Sequence, residues 1–306
     1  FNFEENMLKN VYYHKNNFYN LDGKLMKISF MDNDNEYGHY KNKRNKNIIE
    51  DLSNEDLSKA IVIEDKNMFF LDYMYGWYNF GEFWDCLIRL LYKKDISKYQ
   101  ILHCELNRIY DINYYFNKLK LEFPNKNKDL RIKNNDNITF HFKKIHFTNL
   151  YGTCRGYFDN HISYRFNNKF NNSKITDKNY ILYLKRGSYG RGLINENKLI
   201  NELSKYKDFI IIDGKESIED MISYWTNAIL VIGTHGSLFK NMIYCKKNPL
   251  FIELCPLSRH VCFLGNGNLC NFLYFFITLP TDDNENIILQ NKDLNNLMEL
   301  IDEFIL

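Results

Sequence analysis

Two short segments in the second half of the chain hold residues whose types and spacing suit an anionic, phosphate-bearing ligand. Residues 184–197 read LKRGSYGRGLINEN: Arg186 closes an apolar run, Arg191 follows five residues later, and three glycines keep the loop slim. Guanidinium groups stay charged and grip phosphate oxygens through paired N–H donors, so two of them flanking a glycine-rich loop make a diphosphate site. The plainer alternative is two surface arginines on an ordinary loop. Residues 231–244 read VIGTHGSLFKNMIY. There Gly233 lets a strand turn, Gly236 admits a ligand or backbone at close range, and Ser237 can cap a helix. The first N–H groups of that helix, on Ser237 and Leu238, would face an anion. His235 is the surplus residue of the turn, either a ligand contact or a satisfied structural histidine.

Other chemistries find little support. No Ser or Cys nucleophile stands in a strand–turn–helix elbow, and no second His or Cys stands near His235 at metal-ligand spacing, so no metal is expected. The seven cysteines (Cys86, Cys104, Cys154, Cys245, Cys255, Cys262 and Cys270) form no CxxC pair, and several lie in apolar runs. Buried reduced thiols fit better than a zinc site or a disulfide framework. A net charge of +2 across 306 residues, with lysines interspersed among Asn, Asp and Glu, gives no basic stripe for a nucleic acid. No run approaches the roughly 18 apolar residues of a membrane helix. Two N-glycosylation sequons, at Asn137 and Asn171, are expected by chance in so Asn-rich a chain, although they leave a secretory route open. The chain opens on Phe1 rather than Met, which suggests a piece of a longer, multidomain protein.

The elements that must position these residues follow from periodicity. Over the first half, apolar runs at 59–65, 100–106 and 137–152 read as strands, and 80–94 and 111–123 as helices. The first 60 residues read as strands and loops at a domain edge. Over the second half, strands at 179–186, 208–214, 229–233 and 249–254 alternate with helices at 194–206, 217–228, from 237 onward, and 294–306. The helix at 217–228 opens with a capping box, Ser217 and Asp220. Alternation of this kind argues for parallel sheets and an α/β fold. The polar stretch 157–174 reads as a structureless linker between an N-terminal domain over 1–160 and a C-terminal domain over 175–306.

Taken together, residues 183–254 resemble glycosyltransferase family 61. The matching places are Arg186, Arg191, Asn195, Glu196, Ala228, Gly233, His235, Gly236, Asn241 and Glu253, with Ser237 where the family usually has Ala. A weaker likeness covers residues 78–90, YNFGEFWDCLIRL, where Glu82 stands in place of the family's His. The resemblance implies a GT-B fold, two Rossmann-like domains facing a cleft, and an inverting, metal-independent transfer from a UDP-sugar. GlcNAc or a pentose such as xylose is the expected sugar, and a glycan or glycoprotein hydroxyl the acceptor, with no cofactor beyond the donor.

On this reading Arg186 and Arg191 hold the diphosphate, and His235, Gly236 and Ser237 lie close to it or to the donor sugar. Donor contact is the expected role of His235, ahead of proton transfer. Glu253 accepts ribose hydroxyls, unless it is a solvated strand-end carboxylate. Asn195 and Glu196 either contact the donor or cap and support their helix, and Asn241 pins the His turn. Glu82 and Asp85 are the candidate bases of the acceptor-side domain, with Asp159 and His161 as outsiders. The competing reading is a non-catalytic GT-B-fold module for binding or scaffolding within a larger glycosylation protein. Heavy use of Asn, Lys, Ile, Tyr and Phe, residues with AT-rich codons, suggests a microbe, protist or large virus, with the protein in the cytoplasm.

Overall fold

A computed structural model describes residues 3–14, 17–24, 26, 51–64, 68–70, 100–104, 114, 118, 131–132, 139–150, 160–186, 192–256 and 262–305. The chain divides into two units, Phe1–Gly156 and Tyr157–Leu306. In the first unit, β1 (Phe3–His14) and β2 (Asn17–Tyr19) precede a short helix α1 (Asn54–Ser58), whose Ser53 and Asp56 form a capping box. Strands β3 (Ile61–Ile63), β4 (Met68–Phe70), β5 (Gln100–Cys104), β6 (Arg131–Ile132) and β7 (Phe140–Leu150) complete it. They form one sheet in the order β2-β1-β7-β4-β5-β6, with β3 also on β7. The β7-β4-β5-β6 pairings are parallel, as the sequence pattern predicts. The long β1 adds an antiparallel strand, from Phe3 opposite Leu150 to Tyr13 opposite Phe140. The helix expected over 80–94, and all but Tyr114 and Lys118 of the one over 111–123, lie outside the described residues.

The second unit opens with α2 (Asn160–Phe170), then β8 (Tyr180–Leu184), α3 (Glu196–Leu203), β9 (Phe209–Ile212), α4 (Ile218–Thr226) and β10 (Ala228–Thr234). A 3₁₀ helix (Ser237–Tyr244), β11 (Leu250–Pro256), α5 (Cys262–Leu269), β12 (Tyr274–Leu279) and α6 (Asn291–Ile305) follow. Among the described residues the sheet has the order β12-β11-β10-β8-β9, and every pairing in it is parallel. Strands buried on both faces need uninterrupted apolar runs, and YILYL, AILVIGT and LFIELCP supply them. One face packs Ile181, Tyr183, Leu230, Ile232, Ile252 and Leu254 against Leu199 and Leu203 of α3 and Leu294, Leu297 and Ile301 of α6. On the other, Trp225 of α4 stacks on Phe251 of β11, which stacks in turn on Tyr274 of β12. Ser217 caps α4 by accepting the Asp220 N–H at 3.1 Å.

The order β9-β8-β10 marks the place where the chain reverses its direction of travel across the sheet. After β8 it steps outward to β9, then returns past β8 to lay down β10. Such a switch leaves a crevice beyond the carboxyl ends of the two strands it separates, where ligands of open α/β sheets bind.

The segment 157–174 is not a structureless linker: most of it is α2, and it packs on the 3₁₀ helix. Its Asn-rich composition hides a stripe at helical spacing. Phe166 and Phe170 bury their rings, and Phe166 meets Tyr244 edge-on. The Ser163 hydroxyl and the Asn167 amide both donate to the Ile243 carbonyl, at 3.0 and 2.7 Å. Asn171 Nδ2 donates to Asn167 Oδ1, Thr226 Oγ1 and the Tyr244 carbonyl. These side chains satisfy carbonyls at the end of the 3₁₀ helix, groups that any helix terminus leaves orphaned. Because they are buried, Asn171→Ala should cost about 2 kcal/mol of stability, the penalty for leaving such partners unpaired. A urea midpoint indistinguishable from wild type would show that the stripe does not hold α2.

Candidate active site

Arg186 and His235 occupy equivalent positions on the two strands that flank the switch. Leu184 of β8 is in register with Gly233 of β10, and each of the two candidate residues lies two positions further on. The contact between these strands depends on Gly233. A Cβ there would stand 2.6 Å from Leu184 Cβ and 2.8 Å from the Leu184 carbonyl oxygen, too close for any side chain. Arg186, half-buried, turns its guanidinium across the switch, and Nη1 donates to the main-chain carbonyl of His235. Gly236 serves the same contact: a Cβ on it would stand 2.9 Å from Arg186 Nη1. Its backbone is extended, so this glycine is required for space and not for its dihedrals.

His235 is buried and held from three sides. Its N–H donates to the Leu254 carbonyl at 2.8 Å, which carries the β10–β11 pairing past the end of the strand. Its ring packs against Phe263 of α5, with centroids 5.1 Å apart. Its Nδ1 lies 2.5 Å from Oε1 of Glu253. Glu253 is fully buried within β11, and its other oxygen accepts the Tyr274 hydroxyl at 2.7 Å. It is therefore not a solvated strand-end carboxylate. Register explains the difference: Glu253 stands opposite Gly233, inside the ladder, and the strand runs on to Pro256. Both oxygens are engaged by protein groups, so the carboxylate acts on His235.

Cys255 brings its thiol to the same place, within 4.8 Å of the His235 and Glu253 ligand atoms. The pair itself has the geometry of a hydrogen bond. Two ligands of one zinc, each about 2 Å from the metal in a tetrahedron, would stand about 3.3 Å apart, wider than the 2.5 Å separating Nδ1 from Oε1.

The helix after the turn differs from expectation in winding and cap. It is 3₁₀ over Ser237–Tyr244, with Gly236 at the N-cap and Ser237 already the first helical residue. Residues 239 to 244 are all buried, and the narrower coil suits an element enclosed by α2, α4 and α5. The winding also moves Asn241. In an α-helix it would lie over Ser237, but at three residues per turn it swings about 120° away. It is fully buried against Met221 of α4, with Nδ2 3.7 Å from the sulfur, so it does not pin the His turn.

Asn195 holds the N-cap position of α3 without a side-chain cap bond, and its Nδ2 donates to the Leu289 carbonyl at 2.9 Å. Glu196 accepts the Tyr183 hydroxyl at 3.0 Å and pairs with Lys185 at 3.5 Å. Burial, and then the Glu196 carboxylate, hold that tyrosine protonated far above its ordinary range. Both residues thus support the loop and strand around Arg186. Gly192 is fastened from the far side, by Asn286 Oδ1 at 3.3 Å and by the Ile287 N–H to its carbonyl at 2.8 Å. Arg191, Glu82, Asp85 and Asp159 lie outside the described residues. His161 is exposed in the first turn of α2. Sequence reasoning missed Tyr274 and Phe263, since an aromatic in an apolar run shows nothing of the partner its hydroxyl or face will meet.

A doubly wound parallel sheet with an arginine and a histidine joined across its switch point defines the second unit as a Rossmann-like α/β domain. The profile of the family Glycosyltransferase 61 matches residues 56–252, well over half of the chain. The chain belongs to glycosyltransferase family 61, and it is a glycosyltransferase, with a sugar donor and an acceptor as its substrates. No curated protein matches it. Among the described residues no helix is long and apolar enough to cross a membrane.

Proposed function

We propose that this glycosyltransferase transfers a sugar from a UDP-sugar to a hydroxyl of a glycan or glycoprotein, with inversion and without a metal ion. The observation that carries the reading is the Arg186 guanidinium bonded to the His235 carbonyl at the switch of the parallel sheet. A departing nucleoside diphosphate needs positive charge as its bond to the sugar breaks. A fixed guanidinium beside a helix start can supply it without the reorganisation that water would require. In this reading Arg186, joined by Arg191 in the same loop, takes the phosphate oxygens. The Ser237 and Leu238 amides, without intrahelical partners at the helix start, add two further donors. His235 lies against the diphosphate or the donor sugar. Either Glu82 or Asp85 removes the acceptor's proton, the step an inverting displacement requires. GlcNAc and xylose are the leading donor sugars.

We place the protein in the cytoplasm. That choice is supported by the free, buried thiols of Cys245 and Cys255, and by the Asn171 sequon, whose amide is inside the fold. Two measurements test the function. With EDTA present, UDP at a hundredfold its Kd should stabilise the protein by about 2.7 kcal/mol, read as a rise in Tm. Proton NMR of the first product formed should show an anomeric configuration opposite to the donor's. A shift that needs Mg²⁺ or Mn²⁺, or a product of retained configuration, would refute the corresponding half of the proposal.

A further inference from the structure

Glu253 is the one fully buried acidic side chain among the described residues. A carboxylate without water needs a counter-charge, because an uncompensated ion in the interior is heavily penalised. Tyr274 gives it a hydroxyl dipole at 2.7 Å but no charge. The group in hydrogen-bond contact that can carry a positive charge is the imidazole of His235, at 2.5 Å.

Among the described residues, the remaining charged and titratable side chains on the elements around the ring are few. Arg186 follows β8, and Lys240 is buried on the 3₁₀ helix; both are cations and oppose a proton on the ring. Beyond Arg186, Lys185 is already paired with Glu196. Cys255 lies on β11 and Tyr274 on β12, and the described side chains of α5 include no titratable group. Glu253 therefore supplies the nearby negative charge, and it does so in direct contact.

We propose that Glu253 holds His235 as an imidazolium, which makes Glu253 a positioning residue for the donor site, with Tyr274 acting through it. Nδ1–H is given to the carboxylate, and the second N–H, on Nε2, is directed at a phosphate oxygen of the donor. A neutral ring with its proton on Nδ1 would turn a lone pair toward that oxygen and repel it; the charged ring donates there. The inference rests on the UDP-sugar reading above and adds His235 to the cations that meet the leaving diphosphate.

The charge state can be read without ligand. In ¹⁵N-histidine-labelled protein at about pH 7.5, well above the ordinary histidine midpoint of about 6.5, both ring nitrogens of His235 should resonate as protonated. A His235→Gln sample identifies the signals. A neutral ring at that pH overturns the proposal. Glu253→Gln keeps the shape and the acceptor for Nδ1–H while removing the charge. By isothermal titration in EDTA, its UDP affinity should approach that of wild type toward about pH 5 and be about tenfold weaker near pH 8, as the ring loses its proton. Titration of UDP itself is common to both proteins, so the difference between the profiles is the readout. Parallel profiles would also overturn the proposal, since a merely structural Glu253 lowers Tm at every pH and leaves the affinity of the folded protein unchanged. A protonated His235 in a protein that does not bind UDP would instead sink the donor reading.

Discussion

Arg186→Ala should abolish UDP stabilisation and lower sugar transfer by about a hundredfold or more, the usual cost of removing one preorganised donor from a developing anion. The free protein should lose only about 1 kcal/mol, because the side chain is half-buried and makes a hydrogen bond that water can replace. A large functional effect with a small structural one is what separates a ligand-binding arginine from a brace. Lysine should restore little, since an ammonium lacks the planar fork that engages the His235 carbonyl and a phosphate together. The check is a pair of curves, melting with and without UDP in EDTA, alongside transfer rates per folded molecule. An alanine variant that UDP still stabilises as strongly as wild type would remove Arg186 from the site.

Gly233→Ala should be the most damaging single methyl in the second unit. Its Cβ would meet the Cβ and carbonyl oxygen of Leu184 at 2.6 and 2.8 Å. These are groups at or next to the backbone, with no rotamer to retreat into. β10 is hydrogen-bonded on both sides, to β8 and β11, so moving it off one neighbour strains the other. Overpacking of this kind costs about 3 kcal/mol, toward the upper end for interiors that cannot yield. The displacement also pulls Arg186 away from His235, so any folded remainder should bind UDP poorly. Chemical denaturation within about 0.5 kcal/mol of wild type, the scatter of innocuous surface changes, would mean that the two strands part easily.

Four strands of the second unit, β8 to β11, were legible because each is an unbroken apolar run between polar stretches; β12 was not read as a strand, because an apolar run alone does not tell strand from buried helix. The turns after β8 and β10 stood out because Arg, Gly and His interrupt those runs at fixed places. What bound those turns together was not. Tyr274 lies in the run FLYFFITL, where nothing marks one aromatic as the partner of a buried carboxylate. The helix α5 was hidden by Gly265, Asn266, Gly267 and Asn268, a composition that reads as loop. Gly267 is there because a Cβ would strike the Tyr274 ring at 2.4 Å. The 3₁₀ winding of Ser237–Tyr244 follows from its surroundings, and with it went the expected role of Asn241. Asparagine abundance likewise concealed α2, whose Ser163, Asn167 and Asn171 show their spacing only once their shared targets are known.

Asn171 also bears on how the protein can be made. Its amide nitrogen, the atom to which an oligosaccharide would be attached, is the one that donates to Asn167, Thr226 and Tyr244. A chain modified at the Asn-Asn-Ser sequon in a secretory host would carry a bulky sugar where α2 must close on the 3₁₀ helix, and the product would be a glycosylated, misfolded species. For such hosts Ser173→Ala is the safer edit. It erases the acceptor motif while keeping both the Asn171 side chain and the residue-173 amide that donates to it at 3.0 Å.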